Sequence, residues 1–286
     1  MVYYYAHTGH KVGLERARRG AVVIKALEKE GVEACLLVND FRAGVALKEH
    51  GIREYVTIET IQDIDAIAQM GECIIIDSTE DDHGRLVKYV SDFQQVGRFA
   101  HDEKDVSIHG EILFKPACQE ADACIEAVIV DDVYFEQKEK EERVLFFLGD
   151  SDYDKTVLSH ADFFKAFEME LLLGHYFFVK YEEALAKLFR TLHEPEEYIT
   201  LIGQSSTVVT ASSQTALEAK VAGAKVIYID LEKEALYSSE LLSTYGIDTI
   251  QGLDAKALQK ALSQEVPSVQ KKVEPFIINK IDKFYK

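Results

Sequence analysis

Short runs of β-branched and aromatic residues alternate with segments of helical periodicity through the first half of the chain. The runs predict strands at residues 2–6, 34–38, 55–58, 73–77, 96–100 and 127–130. Between residues 14 and 27, apolar side chains recur at steps of three and four, which is the period of one helix face. This alternation predicts an α/β fold in which helices cover both faces of a parallel sheet.

A charged segment interrupts the pattern at residues 136–143, whose sequence EQKEKEER has no apolar face to bury. We interpret it as a surface connector between two domains. Beyond it the pattern predicts a long helix at residues 160–173, a helix at residues 215–222 that ends at Gly223, and strands at residues 144–148, 175–179, 207–211 and 225–229.

The two halves have a similar size and rhythm, which predicts two Rossmann-like domains with parallel sheets facing across a cleft. The predicted domains span residues 1–138 and 143–266. Residues 267–286 are expected to form a C-terminal helix. The sequence leaves open whether this helix packs against the first domain. Only four prolines and no low-complexity tract occur, so we expect the whole chain to fold.

The net charge limits the partners of the protein. Lys and Arg number 32 and Asp and Glu number 50 among the 286 residues, which gives a formal charge of −18. A general nucleic-acid coat or a binder of anionic membranes needs the opposite sign, so neither is predicted. No apolar run approaches the about 20 residues that span a bilayer, and no basic segment followed by an apolar one opens the sequence. We therefore expect a cytoplasmic protein without an integral membrane segment.

The cysteines are Cys35, Cys73, Cys118 and Cys124, and no two of them form a CxxC pair. Zinc binding is therefore disfavoured, and neither a metal nor another cofactor is predicted. We expect all four to be reduced and to act as small hydrophobic residues in a cytosolic protein.

The junction after the first predicted strand concentrates positive charge. Arg16, Arg18 and Arg19 lie within four positions at the start of a helix whose dipole already makes that end positive. Such crowding is costly unless a negative group is close by. It favours a phosphate or carboxylate ligand held by the helix N-terminus, Arg16 and Arg19. The alternative is that the arginines pair with acidic side chains of the chain itself.

The same junction contains His7 and His10, which are candidate acid/base groups because imidazole titrates near neutral pH. The alternative is that they are solvated or capping side chains. The sequence has no GxGxxG and no GxxxxGK[ST] motif, which disfavours dinucleotide dehydrogenases and P-loop NTPases.

Acidic residues follow two more of the predicted strands. Asp77 ends one strand and precedes the sequence STEDD, and residues 101–103 follow the next strand. Three carboxylates together can bind a divalent cation, but this spacing matches no fixed ligand pattern. Solvated loop acids and helix caps are the favoured interpretation, and Asp77 remains a candidate ligand contact.

Two strand-to-helix turns in the second half are rich in small polar residues. Gly149 and Ser151 follow the run at residues 145–148, and residues 210–219 read TASSQTALEA. Backbone N–H groups of the later turn can hold a diphosphate, and Glu218 can accept hydrogen bonds from two ribose hydroxyls. The alternative is a capping box in which Ser or Thr caps the helix and Glu218 is its partner at the third helical position.

The order of these segments resembles the nucleotide-sugar hydrolases of the pseudaminic-acid pathway, which act on UDP-2,4-diacetamido-2,4,6-trideoxy-altropyranose, and their spore-coat polysaccharide relatives. Three segments carry the resemblance, at residues 12–27, 148–152 and 212–224. They match in order the family patterns IGxGHxxRCLxLAxAL, MGGTD and (S/G)xST(A/x)xEAxxLGxP. The resemblance covers most of the chain and implies a GT-B fold.

The sequence departs from this family where the family's chemistry takes place. Arg16 replaces the family's histidine, which is thought to assist the attack of water, whereas the family's next arginine is retained as Arg19. Glu15 replaces a glycine of the same turn. Because guanidinium stays protonated at any working pH, Arg16 cannot act as a general base.

The resemblance implies an enzyme of surface-carbohydrate biosynthesis, either a hydrolase or a glycosyltransferase. It would bind a UDP-sugar, act at the anomeric carbon and release the nucleoside diphosphate, with the nucleotide on the second domain and the sugar or acceptor on the first. His10, or else His7, would replace the missing base, and Arg16 would stabilise developing negative charge. The implied contacts are catalytic His10 and Arg16; nucleotide-binding Gly149, Ser151, Ser213, Gln214, Thr215 and Glu218; and anion- or sugar-binding Gly13, Arg19 and Asp77.

Two alternatives stay open at this point. The chain could be a catalytically degenerate binding or partner protein that retains the GT-B fold, because the histidine is lost. It could also be an enzyme for CMP-sugars or acidic sugars that grips a carboxylate with its arginines. The sequence predicts neither a protein partner nor an oligomeric state.

Overall fold

The computed structural model describes residues 1–102, 104–118, 123–177, 180–231, 235–265 and 271–276. The chain divides into two compact units. The first is Met1–Ile129, joined by the described residues Pro275 and Phe276, and the second is Val130–Glu274.

The first unit is built on a seven-stranded parallel sheet in the order β3-β2-β1-β4-β5-β6-β7. Its strands are β1 (Val2–Ala6), β2 (Ala34–Val38), β3 (Tyr55–Thr57), β4 (Cys73–Asp77), β5 (Gln95–Phe99), β6 (Ile112–Lys115) and β7 (Cys124–Glu126). Its helices are α1 (Glu15–Lys29), α2 (Phe41–Ala46), α3 (Ile64–Ile67) and α4 (Arg85–Asp92), with a 3₁₀ turn at Ile61–Asp63. Strands β1 and β4 are buried along their whole length, which explains why their sequences are apolar or aromatic up to Asp77, the last residue of β4.

The second unit is built on a six-stranded parallel sheet in the order β10-β9-β8-β11-β12-β13. Its strands are β8 (Glu141–Phe147), β9 (Glu170–Leu172), β10 (Leu192–His193), β11 (Ser205–Thr210), β12 (Lys225–Asp230) and β13 (Asp248–Gln251). Its helices are α5 (Thr156–Ser159), α6 (Ala161–Lys165), α7 (Glu182–Leu185), α8 (Tyr198–Gln204), α9 (Ser213–Val221), α10 (Ser239–Thr244) and α11 (Ala255–Ser263), with 3₁₀ turns at Asp132–Tyr134 and Pro195–Glu197.

The predicted α/β fold with two parallel sheets is confirmed, but several predicted elements are wrong. Residues 127–130 are not a strand, and β6 and β7 precede them instead. The long helix expected at residues 160–173 is the short α6 followed by strand β9, and the described part of the strand expected at residues 175–179 is a turn. These elements have two to five residues, which is too short to show a period of 2.0 or 3.6.

The charged connector is also shorter than predicted, because β8 already begins at Glu141. Of the expected C-terminal helix, residues 271–276 are described and are not helical. The rest of that prediction falls outside the described residues. No helix in the described ranges is long and apolar enough to cross a membrane.

The expectation of four reduced cysteines is wrong for two of them. Cys118 and Cys124 form a disulfide with a Cα–Cα distance of 5.8 Å, whereas Cys35 and Cys73 are free. Cys118 follows β6 and Cys124 begins β7, and these strands are hydrogen-bonded neighbours. The pairing of the strands therefore brings together two thiols that the sequence places six residues apart.

Candidate functional site

Both sheets reverse their strand order at their centre. The reversal lies between β1 and β4 in the first unit and between β8 and β11 in the second. Loops that leave the carboxyl ends of such a strand pair run in opposite directions, and the crevice between them is where open α/β sheets bind ligands. The predicted site residues lie at the end of β4 and on the loops and helices that follow β1, β8 and β11.

In the first unit, Asp77 occupies the carboxyl end of β4 and is only 1 % exposed. Arg19 on α1 donates from Nε to Oδ2 at 2.8 Å and from Nη2 to Oδ1 at 2.6 Å, so it holds the carboxylate with two parallel bonds. The Tyr4 hydroxyl on β1 donates to Oδ2 at 2.7 Å, and Arg16 Nε lies 3.6 Å from Oδ1. The structure therefore brings Arg16, Arg19 and Asp77 together.

The Arg19–Asp77 pair is enclosed by aromatic side chains. The guanidinium carbon of Arg19 lies 3.7 Å from the centre of the Phe99 ring. Burial, and after it the Asp77 carboxylate, raise the pKa of Tyr4 well above its ordinary value, so Tyr4 remains a neutral donor. Asp77 thus supplies negative charge to the arginine cluster from within the chain.

The loop after β1 is a tight turn. Gly13 N–H donates to the Gly9 carbonyl at 2.7 Å, and both glycines have positive φ, +138° at Gly9 and +81° at Gly13. His7 lies beside the loop after β4, with Nδ1 3.5 Å from the Thr79 hydroxyl, and His10 lies in the turn itself, partly exposed. Glycine is needed at both positions because side chains disfavour this backbone region.

The acidic residues that follow Asp77 act locally. Glu80 accepts hydrogen bonds from the hydroxyls of Tyr5 and Ser78, and Asp82 accepts from two backbone N–H groups at the start of α4. Burial raises the pKa of Tyr5 far above its ordinary range, with the Glu80 hydrogen bond as the next cause. In the described part of the chain, no group of three or more His, Cys, Asp or Glu side chains is placed to hold a metal ion.

In the second unit, α9 begins directly after β11 and Ser212 is its N-cap, accepting the Thr215 N–H at 3.1 Å. Thr215 is therefore the third helical residue and Glu218 the sixth. The alternative interpretation of Glu218 as the capping-box partner is wrong, because a residue that far along the helix cannot reach back to the cap.

Glu218 is held inside the unit and is 2 % exposed. Its Oε1 accepts from Gln214 Nε2 at 2.9 Å, and its Oε2 accepts from the Tyr198 hydroxyl at 2.5 Å. The Tyr198 hydroxyl also lies 2.7 Å from the Thr215 hydroxyl, which in turn lies 2.7 Å from the Ser212 hydroxyl. The expected ribose acceptor is thus already hydrogen-bonded to two side chains of its own unit.

The loop after β8 is fixed from two sides. Gly149 has a φ of +141°, and Asp152 accepts the N–H groups of Thr156 and Val157 at 2.6 and 3.1 Å. An added Cβ at Gly174 would lie 2.3 Å from the Asp150 backbone, so the loop after β9 packs directly on this turn. Ser151 lies in the same loop and is partly exposed.

Sequence reasoning missed Tyr198 and Tyr4, whose hydroxyls bind the two central carboxylates. A signal for Tyr198 was present, because Glu194 and Glu197 form a capping box with Pro195 between them and mark a helix start directly before it. Nothing comparable distinguishes Tyr4, which lies in a run of three tyrosines.

No protein-family model matches the chain, and no curated protein sequence matches it significantly. Many solved structures do match. UDP-GlcNAc 2-epimerase from Methanocaldococcus jannaschii, in complex with UDP-GlcNAc and UDP, is 11 % identical over 96 % of both chains, with a TM-score of 0.56. UDP-GlcNAc 2-epimerase from Neisseria meningitidis, bound to UDP-GlcNAc, is 13 % identical over 92 % of this chain and 91 % of that chain, with a TM-score of 0.53. A glycosyltransferase from Rickettsia africae is 9 % identical over 91 % of this chain and 86 % of that chain, with a TM-score of 0.55.

The chain has a GT-B-like fold. Identities this low show the fold alone. In this GT-B-like chain, Asp77 ends β4 at the first strand-order reversal, and Glu218 lies on the second turn of α9, the helix that follows β11 at the second reversal.

Proposed function

We propose that this GT-B-like chain binds a nucleotide-activated sugar, with a UDP-sugar as the first candidate, at the carboxyl edge of its second sheet. One observation carries the proposal. The nine-residue helix α9 starts at the strand-order reversal, immediately after β11, and carries Glu218 on its second turn. A helix N-terminus attracts a diphosphate through its dipole and its backbone N–H groups, and a nearby carboxylate suits the hydroxyls of a ribose.

The contacts on this edge would be Gly149 and Ser151 after β8, and Ser213, Gln214 and Thr215 at the start of α9. Two of the epimerases with this fold are described as bound to UDP-GlcNAc, which supports a UDP-sugar as the ligand to test first. For Glu218 to contact a ribose, one of its present hydrogen-bond donors has to exchange with the ligand.

The reaction that we propose is cleavage or transfer at the anomeric carbon with release of the nucleoside diphosphate, as in the hydrolases that the sequence resembles. His10, or else His7, would act as the general base that takes a proton from the attacking water or acceptor hydroxyl. Arg16 cannot do so, because its guanidinium stays protonated. Arg16 would instead stabilise charge that develops on the leaving diphosphate, and Gly13, Arg19 and Asp77 would shape the sugar side.

A second candidate function is binding of a nucleotide sugar without turnover. It is favoured by the pairing of Arg16 and Arg19 with Asp77, which engages the arginine charge inside the chain, and by the loss of the family's histidine at position 16. Such a protein would sense or present the nucleotide sugar as a partner in surface-carbohydrate biosynthesis.

Calorimetric titration of the full chain with UDP, UDP-GlcNAc and CMP tests the proposal. We expect binding of the uridine ligands, and binding weakened by up to about tenfold in Glu218→Ala, because that variant offers the ribose hydroxyls no acceptor. Glu240→Ala is the matched control, because Glu240 is exposed on α10 of the same unit. Absence of binding for all three ligands contradicts the proposal.

Turnover separates the two candidate functions. UDP-GlcNAc and related UDP-amino sugars are incubated with the protein, and released UDP is measured. Release that His10→Ala abolishes supports the enzyme, whereas tight binding without release from any sugar supports the binding protein.

A further inference from the structure

We propose that the Tyr198 hydroxyl occupies the place on Glu218 that a ribose hydroxyl takes in the complex, so that Tyr198 sets both the affinity and the ribose selectivity of the site. This inference rests on the proposed function. A phenol and a ribose alcohol offer a carboxylate the same group, one O–H donor, and can therefore exchange at Oε2.

The Tyr198 ring is anchored independently of its hydroxyl. The ring packs edge-on against Phe147, the last residue of β8, with 5.3 Å between ring centres. Both side chains are buried. Removal of the hydroxyl alone therefore leaves the packing of α8 on the sheet in place, and Tyr198→Phe isolates the hydrogen bond.

The direction of the hydrogen bonds follows from the donors available. A carboxylate accepts only, so the single Tyr198 proton points to Glu218, and Tyr198 must accept from Thr215. The Thr215 proton is then used, so Ser212 donates to Thr215. Every hydroxyl in this chain of four side chains points toward Glu218, and Tyr198 is the last donor before it.

This arrangement makes the free protein and the complex respond in opposite ways to loss of the hydroxyl. In the free protein, Tyr198→Phe leaves a buried carboxylate oxygen without that donor, which destabilises the fold. In the complex, a ribose hydroxyl supplies the missing donor. The variant therefore gains a hydrogen bond on binding, where the wild type only exchanges one for another.

A purely structural role for Tyr198 predicts different behaviour. If the hydroxyl merely held α8 to α9, its loss would loosen the start of α9 and weaken binding of any nucleotide. The ribose hydroxyls would then make no difference to the effect. The sign of the affinity change and its dependence on the ribose separate the two roles.

The experiment compares the wild type, Tyr198→Phe and Tyr89→Phe by calorimetry with UDP and with 2′,3′-dideoxy-UDP, and by thermal unfolding without ligand. Tyr89 is the matched control, because its buried hydroxyl donates to the Ile61 carbonyl at 2.7 Å in the first unit. We expect Tyr198→Phe to bind UDP about tenfold more tightly than the wild type, and dideoxy-UDP with unchanged affinity. Both variants should unfold at lower temperature, and Tyr89→Phe should bind UDP like the wild type.

The wild type provides a second measurement that does not depend on the variant's folding. Because the Tyr198 hydroxyl already donates a hydrogen bond to Glu218, the ribose hydroxyls add little, and UDP should bind less than about tenfold more tightly than dideoxy-UDP. Three results overturn the inference while the proposed function stands: discrimination of more than about tenfold by the wild type, unchanged or weaker UDP binding by Tyr198→Phe, or an equal gain for both ligands. If the wild type binds neither UDP nor dideoxy-UDP, this inference fails, and the proposed function fails with it when UDP-GlcNAc and CMP do not bind either.

Discussion

The two units hold a buried carboxylate near the centre of the sheet with different hydrogen-bond donors. Each unit has a buried carboxylate near its strand-order reversal, Asp77 at the end of β4 in the first and Glu218 on the second turn of α9 in the second. Asp77 is held by the Arg19 guanidinium with two bonds, whereas Glu218 is held by neutral groups, the Tyr198 hydroxyl and the Gln214 amide. Exchange of a neutral donor for a ligand hydroxyl removes no charge, whereas removal of Arg19 leaves the buried Asp77 without its main counter-charge. The exchange that we propose at Glu218 would therefore separate no ion pair, whereas the same exchange at Asp77 would.

The largest effect is expected from breaking the charged pair. Arg19→Met should destabilise the protein by about 3–5 kcal/mol, because it leaves Asp77 buried without its main counter-charge. Arg42→Met is the control. Its pair with Asp40 is exposed and should contribute only about 0–1 kcal/mol. Urea unfolding of the two variants measures the difference, and equal losses would show that the Arg19–Asp77 pair is not special.

The second unit should be most sensitive at Gly174. Gly174→Ala places a Cβ 2.3 Å from the Asp150 backbone, so the loop after β8 has to shift, at a cost of about 1–3 kcal/mol. Gly203 lies within helix α8, and in Gly203→Ala the nearest side-chain atom to the new Cβ, at 3.2 Å, belongs to the flexible Lys138 side chain. We expect that control to be neutral or slightly stabilised in thermal unfolding. A Gly174→Ala protein as stable as the wild type would mean that the two loops are not packed rigidly.

A smaller effect is expected at the start of α9. Ser212→Ala removes the N-cap and should cost about 1 kcal/mol. Asp254→Ala removes the cap of α11 and should cost a similar amount. The two variants should differ in UDP titrations, where only Ser212→Ala is expected to weaken binding. Equal UDP affinities in the two variants would argue against the start of α9 as the diphosphate site.

The smallest predicted effect is the loss of folding stability at acid pH that comes from Asp105 and Glu111. Burial by itself would raise the pKa values of Asp105 and Glu111, but hydrogen bonds from Arg98 and from backbone N–H groups lower both overall. Carboxylates with lowered folded pKa values stabilise the protein above their ordinary values of 3.8 and 4.5, and this stability is lost as pH falls through the folded values.

Urea unfolding between neutral pH and about pH 3 checks this prediction. Stability should decline less steeply with falling pH in Glu111→Gln than in the wild type, while Glu240→Gln, at an exposed position, follows the wild type. Parallel declines in all three proteins would contradict the assignment.

Much of the fold could be predicted from the sequence. Strands β1 and β4 could be recognised because a strand buried on both faces is almost entirely apolar, and α1 because its 15 residues show the helical period over several turns. The start of α9 and its end before Gly223 were likewise indicated by a capping serine and a terminal glycine. Strands β7 and β9 have three residues each and were missed, because so short a segment carries no period.

The sequence by itself therefore determined the α/β class, the parallel sheets and the location of small polar turns after central strands, since periodicity and capping are local properties. Tertiary structure alone decided which side chains meet at those turns. Arg19 and Asp77 are 58 positions apart, and Tyr198 and Glu218 are 20 apart. Hydrogen bonds act over about 3 Å, so partners so distant along the chain are set by the packing of helices on the sheet and by no local pattern.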